Sequence, residues 1–283
     1  MAIFSFVEAR EIMNALNVGE KKVKVNVDLG LKPIVVDINH KFKEARFLGL
    51  KISFADVESI SSDESVCYSI EKNTSPQKLK LFSADTGILY KLVPSTDAPS
   101  LEVSGISMHR TDGRTPWQDA LDKVSSLAPL NGRVLDTCCC LGYTAIAAGK
   151  SDSVASVYTF ERDSNVLEMT DYNPWSKELY TNRKIKLTIG DAFRGVEMFS
   201  SGFFDSVIHD PPLYSLSPQL YSEEFYAKLY RILKPEGKLF HYVGSQNSKE
   251  HADFAKDVIK KLKASGFRSV HQRPDILGVT AVK

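Results

Sequence analysis

Along residues 1 to about 100, apolar and polar positions alternate in short runs: VKVNVDL (23–29), PIVVDI (33–38), FLGLKIS (47–53), VCYSIEK (66–72), KLKLFS (78–83) and ILYKLV (88–93). A period of two, β-branched residues and breaks at Gly, Asp, Asn and Ser predict antiparallel strands joined by turns. One helix precedes them, with Ser5 as its cap and Glu8 completing a capping box. DTG (85–87) fits a tight hairpin, and STDAPS (95–100) reads as a linker.

From about residue 115 the rhythm changes. Apolar runs RVLDT (133–137), SVYTFE (156–161), IKLTIG (185–190), FDSVIH (204–209) and KLFHYVG (238–244) now alternate with helical patterns. A helix is expected from Tyr143, another ending before Asn173-Pro174, one from Tyr221 to Leu233 closed by KPEG (234–237), and one from Lys249 to Ala264 ended by Gly266. The tail reads as two strands with no helix between them, hence antiparallel. Strand–helix alternation predicts a mostly parallel sheet covered on both faces. The β-rich first half carries no catalytic constellation.

In such sheets ligands bind beyond the carboxyl ends of the strands, near the switch in strand order. LDTCCCLGYTA (135–145) is a strand end, a tight loop and a helix start, so it lies where a ligand is expected. The three cysteines admit four readings. A disulfide framework does not fit four cysteines of which three are adjacent. Metal binding fits poorly, because zinc ligands come as spaced pairs. Redox chemistry draws support from the lowered pKa of a thiol at a helix start. The favoured reading is small residues lining a ligand loop. Cysteine suits a loop position with negative φ and replaces poorly a glycine held at positive φ.

Composition narrows the class. The 283 residues are 43% hydrophobic and 25% charged with a net charge of +1, ordinary for a globular chain and without an overall basic field. No apolar run of about 18 residues is present, so no membrane span is expected. MAIFSFVEAREIMNAL has no cationic leader, and with the cysteine pattern this leads to the expectation of a reducing cytoplasm.

The series of loops resembles the class I S-adenosylmethionine (SAM) dependent methyltransferases, whose first loop is an acidic residue followed by glycines at alternate positions. Asp136, Cys138, Cys140 and Gly142 fall on those positions, and only the last glycine is kept. The resemblance implies SAM as cofactor, Glu161 of FERD for both ribose hydroxyls, and Asp191 of GDAF for the adenine amino group with Ala192 and Phe193 beside the ring. HDPPLYS (209–215) resembles the Asp/Asn-Pro-Pro-aromatic motif of enzymes that methylate amino or amide nitrogens. There Asp210 and the Pro211 carbonyl would accept both N–H bonds of a weakly nucleophilic nitrogen. Pro211-Pro212 would stiffen the loop. Leu213 stands in the aromatic place and Tyr214 one position later, as a possible substitute.

A closer resemblance, from SGISMHR (104–110) through NPWS (173–176), HDPP and LGV (277–279), is to a group of predicted archaeal methyltransferases. It implies a Rossmann-like α/β class I sheet over residues 101–283, with residues 1–100 as a smaller β-rich accessory or substrate domain. His109, Arg110 and Trp175 are candidates for covering the donor or the substrate. His241 and Tyr242 read as structural. No metal is required. The first expectation is an enzyme that N-methylates RNA. The basic stretches NRKIK (182–186) and KDVIKKLK (256–263) offer modest surface for such a partner. The alternatives are methylation of a small molecule or protein amide, aminopropyl transfer from decarboxylated SAM, and a binding subunit that has lost catalysis. Aminopropyl transfer is ranked low because those enzymes normally carry an acidic cluster where this chain has HDPP.

Overall fold

A computed structural model of the chain describes residues 1–244 and 249–283. The residues pack as two compact units, one of residues 1–117 and 165–177, the other of residues 118–164 and 178–283.

In the first unit, β1 (Ala2–Phe4) leads into α1 (Phe6–Asn17), followed by β2 (Lys22–Val27), β3 (Lys32–Asn39), β4 (Glu44–Phe47), β5 (Leu50–Ser53) and α2 (Phe54–Ser61). Then come β6 (Tyr68–Ile70), β7 (Gln77–Lys78), β8 (Lys80–Ser83), β9 (Ile88–Val93), β10 (Ser100–Val103) and β11 (Ile106–Ser107). They form three antiparallel sheets in the orders β2-β3-β4-β5, β1-β6-β7 and β11-β10-β9-β8. Ser5 caps α1 as expected, its backbone N–H and hydroxyl both donating to the Glu8 carboxylate at 2.8 and 2.5 Å. Alternation delivers the core: Val25, Val27, Val36 and Ala45 point inward from successive strands and meet Ile12 of α1 and the stacked rings of Phe4 and Phe47.

Two expectations change here. FLGLKIS is not one strand, because Leu48 and Gly49 both take positive φ and turn the chain between β4 and β5. STDAPS is not a linker. It joins β9 to its antiparallel neighbour β10, and the Ser95 hydroxyl donates to the Ala98 carbonyl to close the turn.

The second element series runs α3 (Pro116–Ser125), β12 (Gly132–Asp136), α4 (Tyr143–Gly149), β13 (Val154–Glu161), α5 (Ser164–Asp171), α6 (Lys177–Thr181), β14 (Ile185–Ile189) and α7 (Ala192–Gly195). It continues with β15 (Phe204–His209), α8 (Glu223–Ile232), β16 (Leu233–Tyr242), α9 (Lys249–Ala264), β17 (Arg268–Arg273) and β18 (Gly278–Val282). The seven strands stand in the order β14-β13-β12-β15-β16-β18-β17. The first five are parallel, and β18 and β17 are antiparallel to their neighbours. This is the Rossmann-like sheet the alternation predicts, with a smaller β-rich N-terminal part.

The central strands are apolar because both faces are covered. β15 buries Phe204, Val207 and Ile208 completely, and α8 lays Phe225, Tyr226, Leu229 and Ile232 on the sheet. Ser222 caps α8 through the Phe225 N–H, and Glu223 and Glu224 sit in its first turn. Tyr158, Phe199, Phe203 and Phe204 form an aromatic knot with ring centroids between 4.7 and 5.6 Å apart. KPEG does more than close α8. It bulges out of β16, so that Phe204 pairs with Leu233 but Ser206 pairs with Lys238. Among the described residues no helix is long and apolar enough to cross a membrane.

Phe204→Ala should cost ~3–5 kcal/mol in the denaturant unfolding of the second unit, because the ring is fully buried among three others. A change below about 1 kcal/mol would show that the knot is not part of its stability core.

Candidate active site

Strand order reverses between β12 and β15. The path to β13 and β14 goes one way from β12, and the path to β16 goes the other way from β15. Their pairing, with Asp136 opposite Ile208, brings the loop after β12 beside the loop after β15. The carboxyl ends of β12, β13, β14 and β15 thereby present Asp136, Glu161, Asp191 and Asp210 along one edge of one sheet.

Asp136 is fully buried. It accepts from the Thr144 hydroxyl of α4 at 3.1 Å and the Thr159 hydroxyl of β13 at 2.7 Å. Burial pushes its carboxyl up to about 7, against the pull of those two donors. Glu161 ends β13, where Cys140 N–H donates to one of its oxygens at 2.9 Å and Asp163 N–H to the other at 3.0 Å. Burial raises its pKa as well. Asp191 caps α7, accepting from Phe193 N–H at 2.9 Å, with Ala192 buried next to it.

The cysteine loop is fastened to β13. Cys139 N–H donates to the Phe160 carbonyl, Cys140 N–H to Glu161, and Gly142 N–H back to the Cys139 carbonyl. Gly142 takes φ 82° at the start of α4. Cys140 takes φ 47°, so a cysteine occupies the left-handed backbone that was expected to need glycine. All three cysteines are free. Burial raises each thiol pKa well above its ordinary value, which is opposite to the activation that a redox role requires. Among the described residues no cluster of His, Cys, Asp and Glu is placed to hold a metal ion.

Beyond β15 the motif is held from below. His209 donates from Nε2 to the Leu220 carbonyl at 2.9 Å, so its Nδ1 accepts from the Thr137 hydroxyl at 2.7 Å. Burial pushes its pKa down to about 3, which keeps the ring neutral. Pro211 is buried, and the Tyr221 hydroxyl donates to the Pro212 carbonyl at 2.7 Å. Tyr214 is half exposed, its ring edge-on to Tyr221 and Phe254, and Leu213 is half exposed beside it in sequence.

Sequence reasoning missed the partner of Asp210. Lys123 of α3 places its ammonium 2.7 Å from Asp210 and 2.7 Å from Asp119, with the Tyr242 ring centroid 4.5 Å away. Burial alone would lower the lysine pKa, but the two carboxylates outweigh it and raise it. The signal was in the register of α3. Pro116, Asp119, Ala120 and Lys123 make one buried stripe at helical spacing, and two of those positions are charged.

The remaining candidates lie in the other unit. His109 Nδ1 is 3.4 Å from Leu101 N–H, and Arg110 Nε donates to the Asp112 carbonyl at 3.1 Å. Trp175 donates to the Leu29 carbonyl at 3.0 Å and packs on Trp117.

The model of the family described as the spermine/spermidine synthase domain matches residues 142–273. The chain is 40% identical over 279 residues to the uncharacterized protein MJ1233 of Methanocaldococcus jannaschii, covering 97% of this chain and 93% of that protein. It is 29% identical over 138 residues to polyamine aminopropyltransferase 2 of Streptomyces coelicolor, which is 47% of this chain and 24% of that protein. Spermidine synthase from Thermotoga maritima superposes with a TM-score of 0.56 at 19% identity over 75% of each chain, a likeness of fold. These similarities favour aminopropyl transfer, ranked low on the sequence, over RNA methylation, ranked first.

Two measurements follow from the loop and from the carboxyl beneath it. Cys140→Gly should stabilise the second unit by about 1 kcal/mol, read as a calorimetric melting rise of ~2–4 °C, by removing the left-handed strain. Unfolded chains release the Asp136 proton near pH ~3.9, whereas the folded form keeps it to about 7. Between those limits the folded state binds more protons, so stability declines as pH rises from about 4 to about 7. Asp136→Asn should flatten that decline in urea titrations run across this range. An unchanged slope would mean that Asp136 does not carry it.

Proposed function

The chain belongs to the family of Methanocaldococcus jannaschii MJ1233, and from that premise and its class I SAM-type sheet we propose that it is a transferase moving the aminopropyl group of decarboxylated SAM to an amine nitrogen. The observation that carries this reading is the row of carboxylates at successive strand ends, Glu161, Asp191 and Asp210. Decarboxylated SAM bears two positive charges and no carboxylate, and an amine acceptor arrives as a cation. A row of carboxylates concentrates both. The match to the spermine/spermidine synthase domain spans all three carboxylates and supports the same donor.

The donor set fits the donor molecule. A carboxylate has about four lone-pair sites, and Glu161 uses two of them on Cys140 and Asp163 N–H groups. The other two accept the ribose 2′- and 3′-hydroxyls. Asp191 accepts from the adenine amino group beside Ala192 and Phe193. The loop from Cys138 to Gly142 contributes backbone and small side chains along the sulfonium arm. The donor supplies a carbon activated by sulfonium, so that as the acceptor lone pair forms the N–C bond, the C–S electron pair returns to sulfur and methylthioadenosine leaves. Asp210 accepts an N–H bond of the acceptor and aims its lone pair. Because the acceptor arrives as a cation, its nitrogen first gives up one proton, which Asp210 takes and passes to solvent, and the freed lone pair then attacks. His209 takes no part as a base, since Nδ1 is already engaged by Thr137 and burial opposes its protonation.

A second reading, N-methylation from SAM with RNA as one acceptor class, rests on the clamped Asp-Pro-Pro loop, in which Tyr221 fixes the Pro212 carbonyl beside Asp210. Calorimetric titration separates the two. Aminopropyl transfer expects decarboxylated SAM to bind at least about tenfold more tightly than SAM, and [14C]aminopropyl to appear on putrescine or spermidine. Glu161→Ala should weaken donor binding by roughly 10²–10⁴-fold, the worth of two hydrogen bonds to a charged group. Asp210→Asn should keep donor affinity and lose turnover. Preference for SAM together with methyl transfer would replace the first reading by the second.

A further inference from the structure

We propose that Lys123 is a positioning residue for the transfer, holding Asp210 in one rotamer so that its carboxylate meets the N–H of the acceptor nitrogen; this rests on the functional reading above. No motif of the first or second kind discussed above contains Lys123. Three observations carry the assignment.

Its ammonium lies 2.7 Å from Asp210 and 2.7 Å from Asp119, within charge-assisted hydrogen-bond range of both. The Tyr242 ring at 4.5 Å closes a third side as a cation–π partner. Burial is graded along the chain of charges. The side chains of Asp119, Lys123 and Asp210 are 4%, 6% and 22% exposed, so only the Asp210 end opens outward.

The energetics argue for placement rather than glue. A buried ion pair roughly breaks even against apolar packing of the same volume. Three charges on and against a helix stripe that otherwise buries Pro116 and Ala120 therefore bring little stability that leucine would not. They do bring a fixed carboxylate. Asp119 anchors Lys123 from one turn earlier on the same helix, and Lys123 passes that restraint to a loop residue 87 positions away. Asp210 also feels Asp136 on β12, the thiols of Cys138 and Cys140, and Tyr221. Lys123 is the cation shown paired with it. Without that cation the carboxylate loses the contact that fixes its rotamer from the helix side and is free to swing away from the acceptor.

The test uses the full chain and the decarboxylated SAM and spermidine assay. Lys123→Met should lower kcat about 10–100-fold while the calorimetric affinity for the donor stays within twofold. Lys123→Arg should recover part of kcat. The double variant Asp119→Asn/Lys123→Met removes the buried charge left by the single change and should fold, yet show the same loss of kcat. Wild-type kcat in either Met variant would overturn the proposal. If the wild type transfers nothing from either donor, the functional reading fails instead. The pairing is then read by the 13C resonance of the Asp210 carboxylate, assigned with Asp210→Asn. It should move in Lys123→Met, and an unmoved resonance would overturn the restraint itself.

Discussion

The parallel pairing of β12 with β15 is the constraint on which the candidate site depends. Both strands are apolar enough to be buried on two faces, so they take the middle of the sheet. Their connections depart in opposite directions, so the loops that follow their carboxyl ends emerge side by side. Asp136 and the cysteine loop leave from one, and His209 and Asp210 from the other. Two buried polar features of the site are consequences. Asp136 is buried because it ends a central strand, and it is tolerable there because Thr144 and Thr159 supply hydroxyls to it. His209, on the neighbouring strand, is buried for the same reason and is satisfied at both nitrogens by Thr137 and Leu220.

The three cysteines answer to this constraint rather than to their own chemistry. Gly142 is limited by Leu179, whose carbons would stand 3.2 Å from an added Cβ. Burial keeps the thiols protonated, and their N–H groups matter more than their sulfurs. Cys139 and Cys140 tie the loop to Phe160 and Glu161, so the residues that shape the loop also orient the carboxylate proposed to hold a ribose. The left-handed backbone at Cys140 is the strain accepted for that fastening.

Much of this was legible in the sequence. The apolar runs showed the parallel strands, and the resemblance to the SAM-dependent methyltransferases put Asp136, Glu161 and Asp191 at or just past their carboxyl ends, where the structure has them. The misses have physical causes. α2 buries only Val57 and Ile60, too few positions to show a helical period in eight residues. The turn between β4 and β5 uses Leu48, a residue that carries no turn signal. STDAPS has the polarity and proline of a linker, yet its Ala98 is fully buried and its ends are neighbours in one sheet. KPEG has the look of a stop, and the register shift it introduces into β16 depends on pairing with β15, which no local pattern encodes.

Lys123 was hidden for a different reason. A charged pair at i and i+4 normally marks a solvated helix face, and Asp119 and Lys123 have that spacing. The same two residues also continue the spacing of Pro116 and Ala120, which is the buried face. The conflict between the two patterns is resolvable only when a third charge, Asp210, arrives from 87 residues away. Charge on an apolar stripe is therefore a distinct signal. It asks what long-range partner makes burial affordable, and in a sheet of this order the nearest answer is the loop at the strand switch. Read that way, α3 belongs to the site as firmly as the motif after β15, since the carboxylate of that motif is held from the helix rather than from its own loop.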